Sequence, residues 1–150
     1  MPTPDEIAIA EIEREMASAQ AVEGVTRTWD DHVVYYDIQP GGAVGKEAAT
    51  ALIAEKFRGV KNLRTKILEM TVHAEDNIGY AFSRQNFISE VTTGGPPLNF
   101  VFRETDIFVK KDGKWRLVHQ HLSVPADFAN GRAILSPPAS ITAAQDSQEK

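Results

Sequence analysis

At 150 residues, 42% hydrophobic and 25% charged, the chain has the size and composition of one globular domain with one core, which argues against two full domains. Its formal charge of −5 comes from 16 basic and 21 acidic residues with no Lys/Arg cluster to track phosphates, so nucleic acid is not an expected partner. The lack of cysteine excludes disulfides, thiolate nucleophiles and Cys-ligated zinc, and fits a reducing, cytoplasmic compartment.

Met1 to Gln20 is acidic and amphipathic, without the basic start and continuous apolar stretch of a signal peptide. No run is long enough to span a membrane, so no membrane partner is expected. Thr3, Pro4 and Glu6 form a capping-box start with Pro at the first helical position. Ile9, Ile12, Met16 and Ala19 follow at spacings of three and four, which predicts an amphipathic helix ending near Gly24. A short helical continuation is predicted over Val25 to Trp29. His32 to Tyr36, rich in β-branched and aromatic residues, then reads as a short strand. Asp37 to Gly45, with Pro40, Gly41 and Gly42, is a loop, and Ala48, Ala49, Leu52, Ile53, Lys56 and Phe57 mark a second amphipathic helix closed by Gly59.

From Leu63 the apolar period changes to two. Turn clusters at Glu75-Asp76-Asn77, Thr93-Gly94-Gly95-Pro96-Pro97 and Lys111-Asp112-Gly113-Lys114 divide the stretch up to Pro125 into four antiparallel strands. Asp112-Gly113 suits a type I′ turn, so the last two strands are expected to pair. Beyond Pro125 the Ala, Ser, Pro and Gln-rich sequence predicts a mobile or partner-contacting tail, which gives a domain over 1–125 and a tail over 126–150. Helices followed by a twisted antiparallel sheet define an α+β fold in which the sheet curls round the helices and leaves a pocket for a small ligand.

Trp29, Asp37, Gly45, the run Arg103-Glu104-Thr105-Asp106 and the stretch from Asp112 to Pro125 resemble the nuclear transport factor 2-like superfamily, in particular its SnoaL-like branch. The resemblance covers roughly Ile7 to Pro125 and is most specific from Thr105 onward. It implies a cone-shaped α+β barrel, usually dimeric, on which isomerases, cyclases, dehydratases, epoxide hydrolases and non-enzymatic assembly modules are all built.

Strand alternation puts Val118, Gln120 and Leu122 on one face of the last strand and Trp115, Leu117, His119, His121 and Ser123 on the other. The likeness to ketosteroid isomerase implies that the Val118 set lines the pocket and that the histidines face a second subunit. The same registers point Phe102, Glu104 and Asp106 inward from the penultimate strand, and Tyr80, Phe82, Arg84 and Asn86 inward from the strand before it.

Asp37 stands where ketosteroid isomerase carries its proton-shuttling carboxylate. A carboxylate in an apolar cavity has a raised pKa and relays protons between adjacent carbons; the other reading is a loop Asp capping its own turn. No Tyr occurs on the first helix, and Phe102 takes the place of the isomerase's inward acid, so Glu104 or Asp106 is the candidate acid, as in some SnoaL-like polyketide cyclases. Arg84 and Asn86 would join these acids in a polar cluster that either binds a polar ligand or satisfies itself through salt bridges. His119-Gln120-His121 offers two imidazoles without an evident third ligand, so no metal site is expected. The same His-x-His occurs in the resembling association domain of calcium/calmodulin-dependent protein kinase II, an oligomerising hub whose pocket arginines this sequence does not reproduce. Aromatic side chains, among them Phe57, Phe82 and Phe102, supply either core or ligand contact.

The reading these features support is a cofactor-free isomerase, cyclase or lyase acting by proton transfer on a hydrophobic, carbonyl-containing small molecule. Asp37 would be the base, Glu104 or Asp106 the acid and Arg84 the ligand-positioning residue, in a homodimer formed through the outer sheet face. The alternative is a non-catalytic ligand-binding or oligomerisation module.

Overall fold

A computed structural model describes residues 1–135; of the tail expected over 126–150, the part from 136 onward lies outside the described residues. The first helix, α1 (Pro4–Ser18), opens on the capping box: Thr3 Oγ1 accepts the Glu6 N–H at 3.2 Å and the Glu6 carboxylate accepts the Thr3 N–H at 2.9 Å. The helix breaks at Ala19, whose backbone is extended, before it reaches Gly24. There Gln20 Nε2 donates to the Leu63 carbonyl at 3.1 Å and ties the connection to the sheet. A single turn of helix, α2 (Val22–Thr26), then leads into β1 (Trp29–Tyr36), which begins ahead of the predicted His32.

A short strand β2 (Gly42–Val44) folds back on β1, and α3 (Lys46–Arg58) ends at Gly59. Four long strands follow: β3 (Val60–Glu75), β4 (Ile78–Val91), β5 (Leu98–Lys111) and β6 (Lys114–Ser123). Their turns fall on the three predicted clusters, and Asp112 and Gly113 both have the positive φ of a type I′ hairpin, +50° and +75°. The six strands form one curved sheet in the order β2-β1-β6-β5-β4-β3, and its pairs are antiparallel except for the parallel β1–β6 pair. The sheet wraps the helices without closing into a barrel, so the architecture is the α+β cone expected from the sequence. After Pro125 the chain makes a small hairpin, β7 (Ala126–Asp127) and β8 (Arg132–Ala133). The carbonyl of Leu135 then accepts the Val101 N–H of β5 at 3.1 Å, where β6 no longer runs alongside.

The core is built where α1 and α3 press on the concave face, with Ile9, Trp29, Val33, Ala49, Ile53, Phe108 and Leu117 buried. The approach of α1 is close. A Cβ on Gly79 would stand 2.4 Å from Ile9 Cδ1 and 3.2 Å from the His73 carbonyl oxygen. The inward residues of β4 are accordingly small or slender: Gly79, Ala81, Ser83 and Gln85. This corrects the predicted register by one residue, because Tyr80 and Phe82 are too bulky to fit under the helix and turn to the outer face with Arg84. Alternation along β6 is also interrupted. Phe108 pairs with Leu117 and Ile107 with His119, so Val118 is an extra, bulged residue. Trp115 and Leu117 therefore face inward ahead of the bulge, and Gln120 is buried after it. Val118 itself is half-buried rather than a pocket residue.

Candidate active site

The inward row of β5 reads Phe102, Glu104, Asp106, Phe108, so two carboxyls enter the interior among aromatic rings. A third comes from α1. Glu13 lies one turn beyond Ile9 on the stripe that packs against the sheet, and it is 1% exposed, as is Asp106; Glu104 is 7% exposed. One oxygen from each of the three carboxyls lies within 4.8 Å of the other two. In the sheet Glu104 is flanked by Ser83 and Leu122, and Asp106 by Ala81 and Gln120. Gln120 Nε2 donates to Glu104 Oε1 at 3.2 Å, and Gln85 Nε2 donates to Ser83 Oγ at 2.9 Å. Tyr35, the β1 neighbour of Gln120, is buried, and its phenol is pushed up by burial and then by the charge of Glu104.

Burial dominates the electrostatics. It raises Glu13 to about 8 and raises Glu104, and it holds Asp106 well above the usual carboxylate range together with the charges of Glu104 and Glu13. No basic side chain pairs with any of the three among the described residues. Neither oxygen of Glu13 nor of Asp106 meets a hydrogen-bond donor. A buried ionised carboxylate without donors is too costly to persist, so these two carboxyls carry protons. As O–H donors they turn toward Glu104, whose pKa the contacts with Asp106 and Glu13 lower. Glu104 also receives the Gln120 amide, which makes it the member best able to hold the negative charge.

The other predicted site residues are placed elsewhere. Asp37 does not stand unpaired in an apolar cavity: its carboxylate pairs with Lys56 Nζ and accepts the Ile38 N–H at 2.7 Å. Burial in turn lowers the Lys56 pKa. Arg84 pairs with Glu69 at 2.8 Å, on the opposite face of the sheet from Glu104 and Asp106, so the predicted Arg84–acid cluster does not form. Asn86 Nδ2 is engaged by Asn99 Oδ1 at 2.9 Å and the Phe100 carbonyl at 3.1 Å. Phe82, 48% exposed, stacks on Tyr80 rather than lining a pocket, for the steric reason given above. Phe57 borders a cleft of about 310 Å³ between α2, the end of α3 and the start of β3. A second cleft of about 280 Å³ lies between Tyr35, Tyr36 and residues 41–44, and neither cleft is lined by the acids. On the outer face His119 Nδ1 meets the Val34 carbonyl at 2.8 Å, and His119 and His121 sit edge-on to Tyr36. Among the described residues the histidines gain no further metal ligand, and the converging group is Glu13, Glu104 and Asp106.

Glu13 escaped the sequence reading, although its signal is visible. Within the apolar stripe Ile9, Ile12, Met16 an acid stands at a core-facing position. Ser83 and Gln85 escaped through the one-residue slip in β4.

This cone, with acids meeting in its interior, defines a class, and the family model for the SnoaL-like domain matches residues 13–127. The chain belongs to that family. No curated protein matches it. Among solved structures, a nuclear transport factor 2-like protein of unknown function from Pseudomonas putida superposes with a TM-score of 0.80 at 21% identity, covering 92% of this chain and 99% of that one. A candidate dehydratase of the nuclear transport factor 2-like family from Streptomyces avermitilis gives 0.69 at 16% identity, covering 81% and 97%. A ketosteroid isomerase-like protein from Erwinia carotovora atroseptica gives 0.70 at 16% identity, also covering 81% and 97%. These likenesses concern the fold. No helix among the described residues is long and apolar enough to cross a membrane.

Proposed function

We propose that the protein is a proton-transfer enzyme of the isomerase, cyclase or lyase kind, working without a cofactor on a hydrophobic small molecule that carries a carbonyl. The observation that carries this reading is the meeting of Glu13, Glu104 and Asp106 within 4.8 Å in a buried setting with no basic partner. Groups whose environments separate ionised from protonated carboxyls supply a base and an acid at the same pH. Glu104, the most exposed of the three and the acceptor of the Gln120 amide, takes the proton from the carbon next to the carbonyl. A protonated neighbour, Asp106 or Glu13, donates a hydrogen bond to the carbonyl oxygen as negative charge develops there. Return of the proton to a different carbon gives isomerisation, and departure of a β-substituent gives elimination. Names of fold relatives such as dehydratase and ketosteroid isomerase-like belong to these reaction kinds. Asp37, held by Lys56 and the Ile38 amide, stays outside the proton path.

The test is deuterium exchange at carbons next to the carbonyl in a panel of small unsaturated ketones and lactones, followed by NMR. Glu104→Gln is expected to lose roughly 10²-fold or more in rate, the usual worth of a positioned base, whereas Asp37→Asn stays within a few-fold. Undiminished exchange in Glu104→Gln would remove the acid–base role.

A second reading, a homo-oligomeric binding module, is favoured by the outer sheet face, where Tyr36, Tyr80, Phe82 and Ile107 stay between 38% and 51% exposed. The two readings are compatible, since the acids and this surface lie on opposite faces of the same sheet.

A further inference from the structure

We infer that the Glu13, Glu104 and Asp106 cluster is also a divalent-cation site, which takes one hard cation of the calcium class. The inference does not depend on the proposed reaction. Its first ground is the ligand set: three carboxylates from two elements, α1 and β5, with oxygens converging within 4.8 Å. An all-oxygen set suits hard cations. One oxygen from each carboxyl lies within 4.8 Å of the others, close enough to turn to a shared ion, and Ca²⁺, which takes flexible oxygen geometry and sheds water more readily than Mg²⁺, is the expected occupant.

The second ground is separate from the convergence. Glu13 and Asp106 are 99% buried, all four of their carboxyl oxygens lack a donor, and one oxygen of each belongs to the convergent group. Buried polar groups are otherwise satisfied almost without exception, and orphaned oxygens of this kind mark the place of a proton or an ion. Gln120 adds a further ligand, because turning its amide end for end presents Oε1 instead of Nε2 to the cluster.

Metal ligands bind as carboxylates, so a cation that enters this donor-less interior expels protons as it binds, which gives the titration a signature that surface binding lacks.

Isothermal titration of the full chain with CaCl₂ and, separately, MgCl₂, at pH 6.5 and pH 8.0 in two buffers of different ionisation enthalpy, tests this. One Ca²⁺ per chain is expected, with protons released and affinity that rises with pH. Mg²⁺ should bind about 10-fold more weakly or worse. Glu13→Gln, and independently Asp106→Asn, should each weaken Ca²⁺ at least about 10-fold while the far-UV spectrum stays native. Failure to saturate at millimolar Ca²⁺, binding unchanged in both variants, or binding without proton release overturns the inference. Surface carboxylates are already ionised and expel no proton, so wild-type proton release decides even if a variant does not fold. The deuterium-exchange assay, run in chelator, tests the catalytic reading on its own.

Discussion

The protonated acid cluster makes stability fall as pH rises, against the usual behaviour of carboxylates. Burial lifts Glu13 from 4.5 to about 8, so between those values the folded chain keeps a proton that the unfolded chain has released. The unfolded state then binds fewer protons than the native state, and unfolding free energy declines with pH across that window. At 1.36 kcal/mol per unit, the full span amounts to about 5 kcal/mol, with Glu104 and Asp106 contributing in the same direction. Set against a typical total of about 5–15 kcal/mol, this is a large fraction. Carboxyls whose pKa is lowered, such as Asp30 held by Lys111 and the His32 amide, act elsewhere: their stabilisation is present above the unfolded value and is lost as pH falls below about 4. Urea unfolding from pH 5.0 to 8.5, read from the buried Trp29 and Trp115, is expected to show a wild type that weakens steadily toward alkali. Glu13→Gln keeps the shape and cannot ionise, so its slope should flatten and its stability at pH 8 should exceed that of wild type by several kcal/mol, up to about 5. A wild-type profile that is flat or rising between pH 5.5 and 8, or an unchanged slope in the variant, would refute the reasoning.

Two further outcomes concern packing and assembly. Gly79→Ala places a methyl group 2.4 Å from Ile9 Cδ1 and should cost about 1–3 kcal/mol in chemical denaturation. Trimming the neighbour in an Ile9→Val background should recover part of that loss, and a Gly79→Ala penalty below about 0.5 kcal/mol would show that α1 is not in close contact there. Phe82→Arg, on the exposed outer face, should leave unfolding within about 0.5 kcal/mol of wild type while shifting sedimentation equilibrium toward monomer. A wild type that is already monomeric at tens of micromolar removes the dimer through this face.

The elements were legible because local chemistry decides them. Thr3 and Glu6 cap α1, and Asp112-Gly113 turns β5 into β6, whatever the rest of the chain does. Which side chains look inward was less legible, since it depends on contacts distant in sequence. In β4 the family register turned the bulky Tyr80 and Phe82 inward, yet Ile9 on a helix far earlier in the chain takes their space. In β6 nothing local announces the bulge at Val118. On β5, whose inward row runs unbroken, alternation with the family register put Phe102, Glu104 and Asp106 in the interior. Glu13 was overlooked because a single acid in an apolar stripe looks like a solvated interruption until its partners across the core are known. Asp37 was placed correctly at the end of β1, but its neighbour Lys56 lies across the fold on α3, and sequence spacing does not bring them together.

Acids so deeply buried weigh on the fold, for well-packed apolar residues of similar volume in place of buried charge are often neutral or stabilising. Around them the levels of organisation agree: caps, turns, small residues beneath α1 and aromatic rings in the core all serve one architecture. A local rule broken at one place within a consistent whole is the mark of a functional site. The direction of the break says more. Conditions that load all three clustered carboxyls with a proton favour the cluster most and leave no base, whereas proton abstraction requires Glu104 ionised. Turnover is therefore expected to rise on the alkaline side of maximal stability, once Glu104, whose pKa burial raises, has lost its proton.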